Sequence, residues 1–401
     1  MILLVLNCGS SSIKYQVLDM KSDSDYSLMA KGIVERIGLD KGTLTHKVNG
    51  RPNYEVEMPI ENHTVGIKQV LNILVDPIQG VLNSLQDIQA VGHRVAHGGE
   101  FFSESRLIDS DVIEKIEKLC ELAPLHNPAN LLGIRAIETL LPGMKQVAVF
   151  DTSFHQTMPN YAYMYPLPYE YYTKYKIRRY GFHGTSHQFV AKKGCLLTGL
   201  DYNTSKIITC HLGNGGSITS IKNGKSIDTS MGFTPLEGVI MGTRCGDIDP
   251  GIITFIQERE GLSASEMNKI LNKKSGFLGV FGKSSDARDI EDAAAKGDER
   301  ANLALNILYY RVLKYIGAYT AVMNGVDLIV FTGGIGENDP HLREMVGLRL
   351  KYMGLEFDVD SNKNARGRDV IISKSGSKVK MAAVTTNEEL VIARDTMAIV
   401  S

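Results

Sequence analysis

Apolar and polar positions divide the chain into short strand-like runs and longer stretches of helical spacing. The first part of the chain is mainly strand-like, with runs at 2–6, 13–18, 30–37, 43–48 and 54–58. Helical spacing follows at 65–74 and 81–85, then a strand-like run at 88–95 and helices at 110–122 and 127–141. For the last of these helices we expect Asn127 as N-cap and Pro128 in the first turn. A strand at 146–150 then ends at Asp151.

The second half repeats this alternation. We predict strands at 207–209, 217–222, 327–331 and 381–384 and helices at 185–197, 252–260, 263–272, 301–323 and 387–398. The long stretch at 301–323 is largely apolar, which indicates a helix buried between neighbours. Strands that alternate with helices are typical of the α/β class.

Three of the predicted strands end in turns rich in small residues. The turn at 7–12 contains Gly9 and three serines, and the turns at 213–216 and 332–338 contain three glycines each. The first two turns lead directly into another strand and lie about half the chain apart, which indicates an internal duplication. Exposed backbone N–H groups in such turns suit a polyphosphate. No Gly-Lys-Ser/Thr closes them as in a P-loop, so glycine-rich hairpins without a ligand are the alternative.

Composition narrows the class of protein. The 401 residues carry a formal net charge of −1, so we expect no nucleic acid and no anionic membrane as partner. The length favours about two to three domains. Five cysteines are scattered without a CxxC pair, as is usual in a reducing compartment. The N-terminal apolar run is too short for a signal peptide, and no run reaches the ~20 apolar residues of a membrane span. We therefore expect a soluble, cytoplasmic protein.

Nine motifs, in order along the chain, resemble those of the acetate kinase family. They are NCGSSSIK (7–14), GHRVAHGGE (92–100), LAPLHNPANL (122–131), VFDTSFH (149–155), YGFHGTSH (180–187), HLGNGGS (211–217), GTRCGDIDPG (242–251), GGIGEN (333–338) and TNEEL (386–390). The resemblance covers essentially the whole chain. It implies the fold of the acetate and sugar kinase, Hsp70 and actin superfamily: duplicated actin-like (ribonuclease H-like) ATPase domains in two lobes, with a nucleotide cleft between them.

The resemblance also implies a division of labour. The N-terminal lobe would comprise residues 1–151 plus 387–401 and carry the acyl substrate, magnesium and one phosphate turn. The C-terminal lobe, residues 152–386, would bind the nucleotide and form a homodimer. The implied activity is reversible, direct in-line phosphoryl transfer from ATP to acetate, which gives acetyl phosphate and ADP. Mg²⁺ would be required, with Mn²⁺ able to replace it.

Residue types support this chemistry. A carboxylate acceptor is already ionised near pH 7, so the reaction needs cations and alignment rather than a strong base. Arg94 and Arg244 each follow an apolar run beside glycines, and their guanidinium groups match carboxylate and phosphoryl oxygens. By resemblance, Arg94 holds the acyl substrate and Arg244 stabilises the transferring phosphoryl group. For either residue, an ordinary ion pair is the alternative.

The remaining catalytic and metal residues follow from the resemblance. His183 resembles a donor of a hydrogen bond to the transition state, with a buried structural histidine as the alternative. Asp151 is the family's proton donor or acceptor. Because the substrate is ionised, orienting Arg94 or a magnesium-bound water is an equal alternative for Asp151. Asn7 and Glu388 resemble magnesium ligands, which requires the first turn and the last helix to meet in one lobe.

The ligand contacts are also implied by resemblance. Residues expected at ATP are Ser10, Ser12, Lys14, His211, Leu212, Gly213, Asn214, Gly215, Asp286, Ala287, Arg288, Gly334, Ile335, Gly336, Glu337 and Asn338. A solvated loop acid is the alternative for Asp286 and Glu337. Residues expected around the acyl group are Ala96, Leu125, Phe182 and Pro235. The family usually has valine where this chain has Ala96, which leaves room for propionate. A buried CH₂ is worth only about 0.8 kcal/mol, roughly fourfold, so we expect acetate with propionate as an additional substrate.

Two other functions are open at this stage. One is a kinase for propionate, other short-chain acids such as butyrate, or a sugar. A sugar kinase needs a base for its hydroxyl and a polar pocket, whereas the implied pocket is apolar. The other is a nucleotide switch of the actin or Hsp70 type, which predicts an added peptide-binding or filament-forming domain.

Overall fold

The computed structural model describes all residues from Met1 to Ser401 and divides into two compact units. Unit 1 comprises Met1–Phe154 and Asn387–Ser401, and unit 2 comprises His155–Thr386. Each unit has one mixed β-sheet with helices packed on it. No helix combines the length and apolar character that crossing a membrane would require.

Unit 1 is built on an eight-stranded sheet. Its strands are β1 (Ile2–Cys8), β2 (Ser12–Met20), β3 (Tyr26–Glu35), β4 (Gly42–Lys47), β5 (Tyr54–Met58), β6 (Ala90–Val95), β7 (Arg106–Leu107) and β8 (Gln146–Phe150). The sheet order is β5-β4-β3-β2-β1-β6-β8-β7, antiparallel from β5 to β1 and parallel from β1 through β6 to β8. The helices before the chain enters unit 2 are α1 (His63–Leu74), α2 (Ser110–Lys118) and α3 (Asn127–Leu140).

Unit 2 is built on a six-stranded sheet of similar design. Its helices are α4 (Asn160–Tyr163), α5 (Tyr169–Tyr175), α6 (Gly184–Thr198), α7 (Gly251–Glu260), α8 (Ala264–Lys269), α9 (Gly276–Phe281), α10 (Ala287–Ala295), α11 (Glu299–Met323), α12 (Gly333–Asn338), α13 (Pro340–Gly347) and α14 (Val359–Lys363). Its strands are β9 (Lys206–Leu212), β10 (Gly216–Lys222), β11 (Lys225–Thr229), β12 (Leu328–Thr332), β13 (Val370–Ile371) and β14 (Lys380–Ala383), in the order β11-β10-β9-β12-β14-β13. The apolar helix α11 packs on β9 and β10 in the main core, as its composition predicts.

The two sheets repeat one pattern. In β3-β2-β1-β6-β8 and in β11-β10-β9-β12-β14, two antiparallel pairings are followed by two parallel ones. In the first hairpin of each sheet, the glycine that follows the first strand donates a hydrogen bond across the turn, although the two turns differ in length by one residue. The N–H of Gly9 donates to the Ser12 carbonyl over 2.8 Å, and the N–H of Gly213 donates to the Gly215 carbonyl over 2.9 Å. The α/β class and the internal duplication predicted from the sequence are confirmed.

The last helix, α15 (Glu388–Val400), returns to unit 1 and lies against β6. The contact is closest at Gly92, where a Cβ would lie 2.4 Å from Thr396 Oγ1 and 2.6 Å from Ile392 Cγ2. Both of these helix side chains are buried. A glycine in β6 therefore lets the helix approach the sheet and brings Glu388, in its first turn, into unit 1.

Three local predictions are wrong. Residues 81–85 form no helix, because the N–H groups of Val81 and Leu82 bond to the Leu74 carbonyl and turn the chain back onto the end of α1. The N-cap of α3 is His126 and not Asn127. The side chain of Asn127 instead accepts a hydrogen bond from the His97 N–H and donates one to the His97 carbonyl. The α-helix predicted at 263–272 ends already at Lys269, and the next residues, Ile270–Lys274, form a short π-helix.

We predict that Gly92→Ala destabilises the protein by about 1–3 kcal/mol, because the added methyl group overpacks the contact between β6 and α15. Urea unfolding would measure the change in the free energy of unfolding. Gly376→Ala is the matched control, since a Cβ there meets no atom within 4 Å. Equal stability of the two variants would contradict the close packing of α15 on β6.

Candidate active site

In unit 1, Asn7, Arg94 and Asp151 lie at the carboxyl ends of three neighbouring parallel strands, β1, β6 and β8. Arg94 donates from Nε to both oxygens of Asp151 at 3.1 Å, from Nη2 to Asp151 Oδ2 at 2.5 Å, and from Nη1 to Asn7 Oδ1 at 3.3 Å. Burial opposes the charge on Arg94, but the fully buried Asp151 outweighs it, so the pKa of Arg94 is raised. Asp151 therefore fixes the direction of this guanidinium group.

Helix α3 holds the backbone that follows Arg94. Asn130 accepts from the N–H of Ala96 at 3.0 Å and donates to the Cys8 carbonyl at 2.8 Å. Asn127 bonds to both backbone groups of His97, at 3.1 and 3.0 Å. These two buried amides explain why the chain leaves β6 in a fixed direction and why Ala96 is itself buried.

Glu388 lies near the same cluster. Burial, opposed by the charge of Arg94, raises the pKa of Glu388 to about 7, and the charges of Asp151 and Glu389 act in the same direction as burial. A cation beside the Glu388 carboxylate would favour its charged form and oppose this shift. No group of three or more His, Cys, Asp or Glu side chains forms a ready metal cage. Mg²⁺ commonly uses only one or two carboxylates and keeps several waters, and the oxygens of Glu388 and Asn7 fit that requirement.

The turn between β1 and β2 and the start of β2 carry three of the residues predicted at ATP: Ser10, Ser12 and Lys14. Asn7 and Lys14 are paired across β1 and β2, so their side chains point to the same face of the sheet. The ring of His63 bonds to the Gly9 carbonyl through Nε2 at 2.7 Å, which fixes the turn that carries Ser10 and Ser12. Lys14 is exposed and free to reach a ligand.

In unit 2, Arg244 and His183 flank Gly215. A Cβ on Gly215 would lie 2.8 Å from Arg244 Nη2 and 3.5 Å from His183 Nε2. A side chain at this position would displace the guanidinium group from the turn. The second predicted turn thus brings bare backbone, a cation and an imidazole to one point.

The loop that carries Arg244 is held from several sides. Arg244 Nη1 donates to the Pro235 carbonyl at 2.6 Å. Arg179 pairs with Glu237 at 2.6 Å, and Asp247 accepts from the N–H of Gly238 at 2.8 Å. Arg244 itself pairs with no carboxylate, and burial lowers its pKa. It is therefore a held, partly buried cation that has no protein anion to neutralise it.

His183 precedes helix α6 with a left-handed backbone, φ 57°. Its ring stacks on that of His211, with the ring centroids 4.2 Å apart. His211 Nδ1 bonds to Ser186 Oγ at 2.8 Å, which fixes the position of the supporting ring. The unusual backbone of His183 turns its side chain toward the loop at Gly215.

A cavity of about 690 Å³ opens beside this loop. Eight residues predicted at ATP line it: Gly213, Asn214, Asp286, Ala287, Arg288, Gly334, Ile335 and Asn338. The sequence analysis missed five further lining residues: Phe277, Ser285, Glu291, Asp339 and Arg366. Burial raises the pKa of Glu291 to about 7, and the nearby Asp339 adds to the shift. The Asp339-Pro340 pair is a readable helix-start signal, but it gives no indication of a cavity.

Other predicted ATP residues have structural contacts. Leu212 is buried in the main core, and the Gly336 carbonyl accepts from Arg343 at 2.7 Å. Glu337 Oε1 accepts from Thr332, Gly333 and Thr386 at 3.2, 3.0 and 3.0 Å, so it ties two strand ends together instead of pointing into solvent.

Asp286 caps α10 and binds Arg288. Its Oδ1 accepts from the Arg288 N–H at 2.9 Å, and Arg288 Nη2 donates to Oδ2 at 2.6 Å. The hydrogen bonds from Arg288 lower the pKa of Asp286 to about 2. Asp286 is thus an ionised acid at the rim of the cavity.

The four residues predicted around the acyl group divide between the units. Ala96 and Leu125 belong to unit 1, where Ala96 is buried and Leu125 is 55% exposed. Phe182 and Pro235 belong to unit 2, where Phe182 packs with Met231 and Met241.

Known proteins match this chain over its whole length. A model of the acetokinase family matches residues 2–394. An acetate kinase of Thermoanaerobacter pseudethanolicus is 56% identical over 399 residues, which is 99% of this chain and 98% of that protein. The crystal structure of Porphyromonas gingivalis acetate kinase superposes with a TM-score of 0.96 at 51% identity and covers 100% of both chains. A propionate kinase from Francisella tularensis gives 0.90 at 41% identity, with 99% of each chain covered.

The duplicated sheet order, the turns at Gly9 and Gly213 and the clusters around Arg94 and Arg244 all lie within the matched residues. The resemblance drawn from nine short motifs is confirmed over the full chain. The chain belongs to the acetokinase family and is a kinase.

Proposed function

We propose that the chain catalyses reversible, Mg²⁺-dependent transfer of the γ-phosphoryl group of ATP to acetate, giving acetyl phosphate and ADP by direct in-line transfer. The observation that carries the proposal is Arg244, a partly buried cation beside Gly215 that has no carboxylate partner. An anionic phosphoryl group supplies the missing charge, and a cation held in advance stabilises the charge that develops during transfer. Similarity to acetate kinases supports acetate as the acceptor.

The roles in unit 1 follow from its charges. Arg94 binds the carboxylate of acetate, and Asp151 orients Arg94 and does not transfer a proton, because acetate is already ionised. Asn7 and Glu388 hold Mg²⁺, directly or through water, with Mn²⁺ able to replace it. The metal neutralises phosphate oxygens while the nucleotide binds.

The roles in unit 2 follow from the cavity. Its lining by Asp286, Arg288, Gly334, Ile335 and Asn338 supports a site for the adenosine of ATP. Gly213 to Gly215 and His211 bind phosphates, as do Ser10, Ser12 and Lys14 of unit 1. Leu212, Gly336 and Glu337 support these turns from behind. All five cysteines are free, which supports the cytoplasmic location expected from the sequence.

We expect purified protein with ATP and Mg²⁺ to form acyl phosphate from acetate, trapped as the hydroxamate, and less from propionate and butyrate. Higher kcat/KM with propionate would favour the second candidate, a propionate kinase like the Francisella relative. ATP hydrolysis that is equally fast without any carboxylic acid would contradict the proposal and support a nucleotide switch.

Replacing the two arginines tests their separate roles. Arg94→Ala should raise the KM for acetate by about 30-fold, since a charged contact of about 2 kcal/mol is lost, and should also lower kcat while ATP still binds. Arg244→Ala should mainly lower kcat, on the order of 10²–10³-fold, because its contacts strengthen in the transition state. Arg106→Ala is the control, since Arg106 is exposed and pairs only with Glu104. Near-normal turnover in either variant would refute that residue's role.

Ala96→Val tests the acyl pocket. The two added methyl groups should lower kcat/KM for propionate about fourfold relative to acetate, the discrimination expected for one CH₂ group. The measurement is the ratio of the two kcat/KM values in the variant and in the native chain. An unchanged ratio would show that Ala96 does not limit the length of the acid.

A homodimer is part of the proposal. Helix α7 has no fully buried residue, and its Phe255 is 60% exposed, which suits coverage by a second copy. Phe255→Arg should shift the mass in light scattering from twice 44.1 kDa toward 44.1 kDa. Ile78→Arg, at a residue 78% exposed in unit 1, is the control and should leave the mass unchanged. A native monomer would contradict this part of the proposal.

A further inference from the structure

Four side chains form a continuous hydrogen-bonded row that starts at His183. His183 Nδ1 lies 2.9 Å from Ser217 Oγ, and Ser217 Oγ lies 2.7 Å from His187 Nε2. His187 Nδ1 in turn lies 2.7 Å from Thr209 Oγ1. Ser217, His187 and Thr209 are fully buried, so water does not complete their hydrogen bonds. The row runs from His183, beside Arg244, into the sheet of unit 2.

The sequence places these residues by simple periodicities. His183 and His187 are one helical turn apart at the start of α6, where the His187 N–H donates to the His183 carbonyl at 2.9 Å. Both imidazoles therefore face the adjacent strands β9 and β10, which carry Thr209 and Ser217. None of the three residues behind His183 was assigned a role in the sequence analysis.

The protons of this row can be counted. Burial, together with the charges of His155 and His211, lowers the pKa of His187 well below its usual value, so its ring is neutral and has one donor and one acceptor. Ser217 has a single hydroxyl proton for two ring nitrogens. The two ring nitrogens are the only partners of the buried Ser217 hydroxyl, so its proton goes to one of them and the other donates to it. Every bond in the row therefore points toward His183, or every bond points away from it.

The neighbourhood of His183 selects between the two directions. Phosphoryl oxygens only accept hydrogen bonds, so Nε2 of His183 must carry a proton to serve them. Arg244 Nη2 and His183 Nε2 lie within 3.5 Å of the same point beside Gly215, so the guanidinium charge disfavours a second charge on the imidazole. A neutral His183 with its proton on Nε2 has a bare Nδ1, which must accept from Ser217.

We propose that Ser217 and His187 are positioning residues that hold His183 in the neutral form protonated at Nε2. Thr209 donates to His187 Nδ1, His187 Nε2 donates to Ser217, and Ser217 donates to His183 Nδ1. His183 Nε2 then carries the proton that we assign to a hydrogen bond with the transferring phosphoryl group. The choice of direction and this last step both rest on the proposed phosphoryl transfer, whereas the hydrogen-bonded row itself does not.

Substitutions at His187 test the direction by turnover. The side-chain nitrogen of glutamine falls near the position of Nε2 and that of asparagine near Nδ1. His187→Gln therefore keeps a donor for Ser217 and should retain kcat within about threefold, whereas His187→Asn should lose roughly 10- to 100-fold. The KM values for ATP and acetate should change little in both variants. Equal activity of the two variants would overturn the proposal.

A matched pair of serine substitutions separates the row from general packing. Ser217→Ala should lower kcat to the same extent as His187→Asn. Ser220→Ala should not, although Ser220 is also fully buried and lies on the same strand. An equal loss in both serine variants would indicate a structural role and would overturn the proposal.

Nitrogen NMR of the histidine rings reads the tautomers directly. With ¹⁵N-histidine in the native protein, His183 and His187 should both show a protonated Nε2 and a bare, hydrogen-bonded Nδ1. The His187 variants assign these signals among the 10 histidines. A proton on Nδ1 of His187, or a doubly protonated His183 at neutral pH, would overturn the proposal. The spectrum needs no acceptor acid, so it tests the row even if the protein phosphorylates none.

Discussion

A guanidinium group without an anionic partner is the constraint on which the site of unit 2 depends. Removing a cation from water without pairing it costs free energy, and the lowered pKa of Arg244 reflects that cost. The surrounding loop holds the group despite this, through the Pro235 carbonyl and the ion pair between Arg179 and Glu237. In the proposed reaction, this cost would be offset when the phosphoryl group meets a cation that is already in place. Preorganisation of this kind needs no further reorganisation during the reaction.

In unit 1 the carboxylates around Arg94 outnumber the positive charges, the reverse of the situation at Arg244. Arg94 is neutralised by Asp151, yet Glu388 and Glu389 lie close enough to raise its pKa further. Burial is the main reason that the pKa of Glu388 is raised to about 7, and the negative charges of Asp151 and Glu389 add to the shift. The Mg²⁺ proposed at Asn7 and Glu388 would offset this negative charge and would favour binding of a carboxylate beside it.

The sequence predicts the backbone of the site well and its side-chain contacts less well. The hairpins at Gly9 and Gly213 follow from local turn chemistry, which needs only neighbouring residues. Asn127 has the composition of an N-cap, but its partner is the backbone of His97, thirty residues away. Residues 81–85 have helical spacing, but the carbonyl of Leu74 captures their N–H groups. In each failure a tertiary hydrogen bond replaced a local one, and no periodicity reveals such a partner.

The two units share a strand order, but the side chains beside their hairpins differ. Both hairpins are antiparallel, but their surroundings differ. A Cβ on Gly215 would lie 2.8 Å from Arg244 Nη2, whereas a Cβ on Gly9 or Gly213 would lie within 4 Å of no cation. In unit 2 the segment between β11 and α9 carries Arg244 to the turn. Two copies of one sheet thus acquired different charges through the loops attached to them. Function in this chain is determined by those loops, which is why the repeated strand order alone would not distinguish a kinase from a nucleotide switch.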